Sequence, residues 1–170
     1  TLYKYAGGMY TDTEITVKDG TVGIAGNAFN GMEKLVKITL PEGVQNIGEY
    51  AFGGNPKGTG LTEISLPASL SEIGANAFRN SENLAKITIG KNVVYIGDNA
   101  FAGCSVTELD FAAQNAQFGA QGPFRGNTAA AEVTFDSGIT TFPAKLFDSW
   151  TGLKNVSLGG VTDLPDNAFD

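Results

Sequence analysis

The sequence predicts an α/β solenoid, in which short repeats stack into one parallel β-sheet with turns or single helical turns on the return side. The first observation is a phenylalanine that recurs at intervals of 23, 26, 23, 23, 23 and 22 residues along the 170-residue chain. The second is an apolar triplet, L-x-x-I-x-L, that returns with a similar period. Because one such unit cannot bury its apolar side alone, about seven of them are expected to stack around a continuous core. The recurring residues are Phe29, Phe52, Phe78, Phe101, Phe124, Phe147 and Phe169.

The apolar triplet predicts the strand of each unit. Its last two members alternate with polar residues, which is the pattern of a half-buried strand. Pro41 and Pro67 follow two of these strands, where a missing N–H does little harm. The triplets are Leu35/Ile38/Leu40, Leu61/Ile64/Leu66, Leu84/Ile87/Ile89, Val106/Leu109/Phe111, Ala130/Val133/Phe135 and Leu153/Val156/Leu158, and Ile15 and Val17 fit one repeat earlier.

The following stretch, V-x-x-I-G-x-x-A-F, predicts the return of each coil. Its A-F-x-G end indicates a single helical turn closed by a left-handed residue, because Gly and Asn tolerate that conformation. This closing position holds Gly31, Gly54, Asn80, Gly103, Gly126 and Ser149. A recurring asparagine before the A-F pair indicates a hydrogen-bonded turn. These asparagines are Asn27, Asn76, Asn99 and Asn167.

The repeat, written L-x-x-I-x-L-P-x-x-(V/L)-x-x-I-G-x-x-A-F-x-x-C, resembles the BspA-like bacterial leucine-rich repeats. The best copies are 61–81 and 84–104, and the match covers about 12–170. The resemblance implies a right-handed leucine-rich-repeat superhelix with short, irregular returns. It also implies a cell-surface or secreted protein of host-associated bacteria, with roles in adhesion and extracellular-matrix binding. Residues 112–131 keep the spacing but lose the Ile-Gly and Ala-Phe pairs.

One domain is predicted, with stacked repeats over 12–170. Residues 1–11 are expected to form either an N-terminal cap or a decayed repeat, because terminal repeats must shield the first core layer. Residues 53–60, GGNPKGTG, lengthen one unit by three residues. Insertions in solenoids map to loops and sometimes to binding edges, and this composition is typical of a flexible turn.

Composition excludes several classes of function. There is no histidine and one cysteine, which rules out Ser-His-Asp and Cys-His nucleophile systems, histidine-bearing zinc sites and an internal disulfide. The net charge of −7 argues against nucleic-acid binding, which needs clustered Lys and Arg. No apolar run approaches the ~20 residues of a spanning helix, so no membrane insertion is expected. No catalytic, metal or cofactor site is predicted.

The polar positions of the predicted strands form two outward columns. The first alternates in sign over successive units and the second is rich in hydroxyls. Glu108, Asp110 and Glu132 should lie within one or two strands of each other, where they could bind Ca²⁺, attract a basic partner or form a solvated acidic patch. We take Lys37, Lys86, Glu108, Asp110 and Glu132 as the candidate partner-binding face. The first column is Glu14, Lys37, Glu63, Lys86, Glu108, Glu132 and Asn155, and the second is Thr16, Thr39, Ser65, Thr88, Asp110, Thr134 and Ser157.

Two other residues invite a functional interpretation but fit the core better. Trp150 lies three residues after Phe147, in the repeat position of Met32 and Cys104, and is expected to point inward. Cys104 is expected to be a small buried apolar residue and not a nucleophile.

The sequence therefore favours a non-enzymatic, adhesion-type binding module at the cell surface or outside the cell, with any signal or anchor outside these residues. Its partner would be a protein, such as a host extracellular-matrix component, or a glycan. The alternative is a structural spacer of a larger envelope protein. A carbohydrate-active enzyme is a third hypothesis, although an open sheet offers no cleft for paired carboxylates.

Overall fold

The computed structural model describes residues 1–166, 168 and 169, and shows stacked coils with parallel strands on two sides. On one side, β2 (Thr13–Thr16) pairs with β4 (Leu35–Thr39), and β7 (Lys86–Ile89), β9 (Glu108–Phe111), β11 (Ala131–Phe135) and β12 (Leu153–Ser157) form a four-stranded sheet. On the return side, two-residue strands form a six-stranded sheet: β1 (Leu2–Tyr3), β3 (Gly23–Ile24), β5 (Asn46–Ile47), β6 (Glu72–Ile73), β8 (Tyr95–Ile96) and β10 (Gln117–Phe118).

The return side differs from the prediction of one sheet with helical turns. It carries a second parallel sheet, and the helix of the described residues is a 3-10 turn at Ala144–Phe147. The reason lies in the backbone hydrogen bonds: at the A-F turns they run between coils, as from Phe29 N–H to the Ala51 carbonyl and from Phe52 N–H to the Ala77 carbonyl, both at 2.7 Å. An amide bonded to the next coil cannot bond within a helix. The solenoid is confirmed, whereas the α/β class and the helical turns are not.

Most returns contain left-handed residues where the sequence predicts them. The closing positions have positive φ at Gly31, Asn80, Gly103, Gly126 and Ser149, although Gly54 in the lengthened unit does not. The recurring asparagine is also left-handed, with φ of 57° at Asn27, 56° at Asn76 and 54° at Asn99. Asn167 lies outside the described residues. In the three returns that contain Asn27, Asn76 and Asn99, two left-handed residues bend the chain back without a helix.

A stack of phenylalanine rings forms the centre of the core. Successive ring centroids from Phe29 through Phe52, Phe78 and Phe101 to Phe124 are 5.3, 5.0, 5.0 and 4.9 Å apart, with interplanar angles of 12° or less. All these rings are fully buried. The spacing is close to the ~4.8 Å between neighbouring parallel strands, so the repeat period sets the ring contacts directly.

The predicted phenylalanine column is wrong beyond Phe124. Trp150, and not Phe147, continues the stack, with its centroid 4.5 Å from that of Phe124. Phe147 instead stacks on Phe142 at 5.3 Å, and Phe169 is 52% exposed. The 3-10 turn carries Phe147 away from the column. Trp150 is buried, as predicted.

One inward strand position also shifts. Ala130 is exposed and Ala131 is buried, because the pairing of β11 with β12 is irregular between Ala131 and Glu132. In the irregular segment 112–131, Phe118 pairs in register with Ile96. That segment therefore retains the return-side ladder although its consensus residues are lost.

The N-terminal residues join the same architecture. Tyr3 and Tyr5 stack on Phe29 with centroids 5.6 and 5.9 Å away, and β1 pairs with β3. A cap and a decayed repeat both accommodate these contacts, so the boundary at residue 11 remains a prediction.

Candidate binding face

The predicted site residues lie on the side opposite the six-stranded sheet. We call this side the strand face: the exposed side chains of β2, β4, β7, β9, β11, β12 and the segment 61–66. Lys37, Lys86, Glu108, Asp110 and Glu132 are all exposed on it. Alternation along each strand turns their neighbours, such as Ile87 and Leu109, into the core.

The four-stranded sheet brings four of the five residues together. Lys86, Glu108 and Glu132 are in register on three consecutive strands, and Asp110 is in register with Thr88 and Thr134. Lys37 lies on the separate two-stranded sheet, in register with Glu14. The predicted face is therefore divided into a larger acidic part and a smaller part that carries Lys37.

Charge pairing across the strands is limited. Lys86 Nζ lies 2.8 Å from Glu108 Oε2, and Asn155 Nδ2 donates to Glu132 Oε1 at 3.2 Å. The hydrogen bond and charge of Glu108 raise the pKa of Lys86, with a smaller contribution from Asp110. Among the described residues, Lys37 forms no ion pair, so the sign alternation of the sequence yields one bridge on this face.

The acidic part is a surface patch. Glu108 and Glu132 are directly opposed, an unfavourable placement of like charges, and Glu108 also pairs with Lys86. Within residues 1–166, 168 and 169, no group of three or more acidic, histidine or cysteine residues is placed to hold a metal ion.

A cleft separates the two parts of the strand face. Segment 61–66 forms a single bridge, between Glu63 and Lys86, and β4 has no strand partner on its cleft side among the described residues. The opening has a volume of about 320 Å³. Its rim carries Lys37, Thr39, Glu63, Ser65, Lys86 and Thr88, and its floor Ile38, Leu40 and Ile64.

The floor residues are slightly more exposed than their counterparts in the continuous sheet. Ile38 and Ile64 are 4% and 8% exposed, whereas Ile87 and Leu109 in the continuous sheet are 0% and 1% exposed. On the return side β5 and β6 still pair directly, so these two coils diverge only towards the strand face.

The lengthened unit explains the divergence. The ends of segment 53–60 are packed, whereas residues 55–57 are exposed: Thr59 is buried, and its hydroxyl lies 3.0 Å from the Ser81 hydroxyl. A Cβ on Gly60 would collide with the Glu33 carbonyl oxygen. The coil therefore contacts its neighbour at Gly60 and separates from it beyond. The sequence analysis did not identify the floor residues as part of a site. The signal that could have located the cleft was the 26-residue interval between Phe52 and Phe78.

Cys104 and Trp150, the two residues that invited a functional interpretation, both lie in the core. Cys104 is 4% exposed, its thiol donates to the Phe78 carbonyl oxygen at 3.2 Å, and burial raises its pKa to about 12. A thiol with this pKa is not a nucleophile at neutral pH. The indole Nε1 of Trp150 is buried without a hydrogen-bond partner.

Comparison with known proteins decides the family. The model of the BspA-type leucine-rich repeat region matches residues 7–59 and 56–170, in six copies. The chain belongs to this family. No curated protein sequence matches the chain.

One solved bacterial protein shares the fold. The pneumococcal vaccine antigen PcpA is 27% identical with a TM-score of 0.67, over 83% of this chain and 35% of PcpA. A leucine-rich cell-surface protein of Faecalibacterium prausnitzii is 19% identical (TM-score 0.43; 85% and 59% covered), and a leucine-rich-repeat protein of Bacteroides ovatus is 18% identical (TM-score 0.28; 85% and 60% covered). The chain thus spans about a third of PcpA. Within its described residues, no helix is long and apolar enough to cross a membrane.

Proposed function

We propose that this protein is a non-enzymatic, adhesion-type module that binds a protein partner through its strand face, at the cell surface or outside the cell. The observation that carries the proposal is the cleft-divided face itself. It presents charged and hydroxyl side chains, fixed in register by a rigid scaffold, next to apolar side chains at the floor of the cleft.

Rigid placement favours protein recognition. Side chains held on paired strands lose little conformational entropy on binding, and an opposite charge pattern on the partner fixes its orientation. The acidic part of the face would contact basic residues, and Lys37 would contact an acidic group across the cleft.

The extracellular location draws on the relatives. An antigen used in a vaccine must be reached by antibodies, and PcpA resembles this chain over most of the chain's length. A family whose solved relatives include such an antigen supports display outside the cell, where a host extracellular-matrix protein is an available partner.

The experiment measures binding of the purified protein to immobilised fibronectin, laminin and collagen by surface plasmon resonance. For any probe that binds, Glu108→Lys and Glu132→Lys are expected to weaken binding at least about tenfold, because each reverses a charge at the interface. Glu72→Lys, an exposed position on the return-side strand β6, is the matched control and should leave binding unchanged.

Two outcomes would contradict the proposal. Loss of binding in Glu72→Lys alone would place the interface on the return side. Absence of binding to every matrix protein, with the solenoid intact by circular dichroism, would favour the structural spacer.

A further inference from the structure

The two arginines of the chain lie in one groove on the side of the left-handed turns, away from the strand face. Arg79 and Arg125 both immediately follow a stacked phenylalanine, and they are 46 residues, or two repeats, apart. The intervening repeat has Ala102 at this position. Two coils along the stack correspond to about 10 Å, so the two arginine side chains lie on either side of the short Ala102 side chain. The groove has a volume of about 460 Å³ and is lined by Arg79, Asn80, Asn99, Ala102, Gly103, Gln121, Arg125 and Gly126.

Neither arginine has an acidic partner among the described residues. In a chain with 18 acidic residues, every ion pair there uses a lysine. Arg79 donates to Asn76 Oδ1 at 3.2 Å, and Arg125 donates to Gln121 Oε1 at 3.0 Å, so both bond to neutral amides. A guanidinium has five N–H donors, and most of these remain available to a ligand.

Two carboxylates on coils adjacent to the arginines have other partners. Asp98 Oδ1 accepts the Gln121 backbone N–H at 2.8 Å. Asp148 pairs with Lys145 at 2.9 Å, and this lysine lowers the pKa of Asp148. Among the described residues, neither arginine therefore forms an ion pair with a carboxylate.

The rest of the lining supplies neutral polar groups and open space. Gln121 Oε1 also accepts from Asn99 Nδ2 at 2.7 Å, so these two contacts leave the Gln121 amino group unused. Gly126 has no atom within 4 Å of the place where a Cβ would lie, so the groove is open above it. Among the described lining residues, Ala102 is the sole apolar side chain.

From this arrangement we propose that the groove binds an oxyanion, a sulfate or carboxylate, carried by an acidic carbohydrate. The arginine forks match the paired oxygens of such a group, and the amides match hydroxyls beside it. A peptide is less suited, because binding energy at peptide interfaces is concentrated in large apolar and aromatic contacts that this groove lacks. The site is separate from the proposed protein-binding face.

The test titrates the protein with a heparin-derived hexasaccharide and with the same hexasaccharide after desulfation, using isothermal calorimetry at fixed ionic strength. The sulfated sugar should bind. Binding of the desulfated sugar, which keeps its carboxylates, at least about tenfold more weakly would assign the groove to sulfate, and equal binding would assign it to carboxylate. Arg79→Ala and Arg125→Ala should each weaken binding about tenfold, which corresponds to one charged hydrogen-bonding partner. Arg79→Lys should recover only part of the loss, because lysine keeps the charge but not the fork.

Lys91→Ala is the matched control, since it removes one exposed positive charge outside the groove. Equal loss in Lys91→Ala, unchanged binding when Arg79→Ala and Arg125→Ala are combined, or no binding of the sulfated sugar would each overturn the proposal. Binding of polyglutamate that depends on both arginines, at equal or higher affinity, would instead assign the groove to a protein partner.

Discussion

Removing one ring from the centre of the phenylalanine stack tests the packing on which the solenoid depends. Phe101 is fully buried and lies between Phe78 and Phe124, with centroid distances of 5.0 and 4.9 Å. We expect Phe101→Ala to be among the most destabilising substitutions in the chain, because it removes both ring contacts and leaves a cavity between coils.

The size of the effect follows from the burial. Truncating a buried phenylalanine costs about 3–5 kcal/mol, which combines lost transfer free energy with the cavity left behind. Since domains are stable by only about 5–15 kcal/mol, this loss is a large part of the total. Phe101→Leu keeps most of the apolar volume but loses two stacked pairs at about 0.5–1.5 kcal/mol each, so it should cost about 1–3 kcal/mol.

The assay is equilibrium unfolding in urea, followed by far-UV circular dichroism and by tryptophan fluorescence. Trp150 is the sole tryptophan and stacks on Phe124. Phe124 in turn stacks directly on Phe101. The fluorescence of Trp150 therefore reports on the altered part of the stack, while circular dichroism reports on the whole chain. Coincident curves would show that the coils unfold together.

Tyr95→Ala is the control, because Tyr95 is 41% exposed on β8. It should lower the free energy of unfolding by less than about 1 kcal/mol. If Phe101→Ala and Tyr95→Ala lost the same stability, or if Phe101→Leu cost nothing, the ring stack would not be what holds the coils together.

Two further predictions concern the strands and the buried thiol. Ile87→Ala removes a fully buried strand residue and should lower the free energy of unfolding in urea by about 2–5 kcal/mol. Lys86→Ala, at the neighbouring exposed position, should leave the urea midpoint unchanged. Equal losses would contradict the assignment of Ile87 to the inward and Lys86 to the outward side of β7. Cys104 should resist Ellman's reagent at pH 8 until the protein is unfolded in urea, and rapid labelling of the folded protein would contradict its burial. Because folding raises the pKa of Cys104 from 9.0 to about 12, the folded state favours the protonated thiol. Stability should therefore fall as pH rises above about 9, and Cys104→Ala should lose less stability between pH 9 and 11.

The sequence could predict the inward face of each coil because one physical constraint fixes it. Residues that recur at the repeat interval meet in the core, so Phe78 and Phe101 had to be in contact once the solenoid was inferred. The left-handed positions were predictable for a similar reason, because few residues besides glycine and asparagine tolerate positive φ, as Asn76 and Gly103 show.

The prediction failed where hydrogen bonds between coils compete with local ones. A run such as A-F-x-G is compatible with a helical turn when considered alone. The Ala51 carbonyl, which accepts the Phe29 N–H from the preceding coil, is visible only once the coils are stacked. The displacement of Phe147 by Trp150 is of the same kind, since it depends on how Ala144–Phe147 closes on its neighbours.

Both proposed binding sites arise where the repeat departs from its own pattern. The inward columns cannot vary without loss of packing, whereas an interval of 26 residues opens the cleft beside Lys37, and Ala102 opens the groove between Arg79 and Arg125. A solenoid of identical repeats would present a uniform surface, with no position at which one partner could be preferred over another. Specificity therefore requires irregular coils, and their stability depends on the regular ones beside them. We therefore expect Glu108→Lys to weaken binding of the protein partner alone and Arg79→Ala to weaken binding of the sulfated sugar alone. Both variants should have the same free energy of unfolding as the unaltered chain.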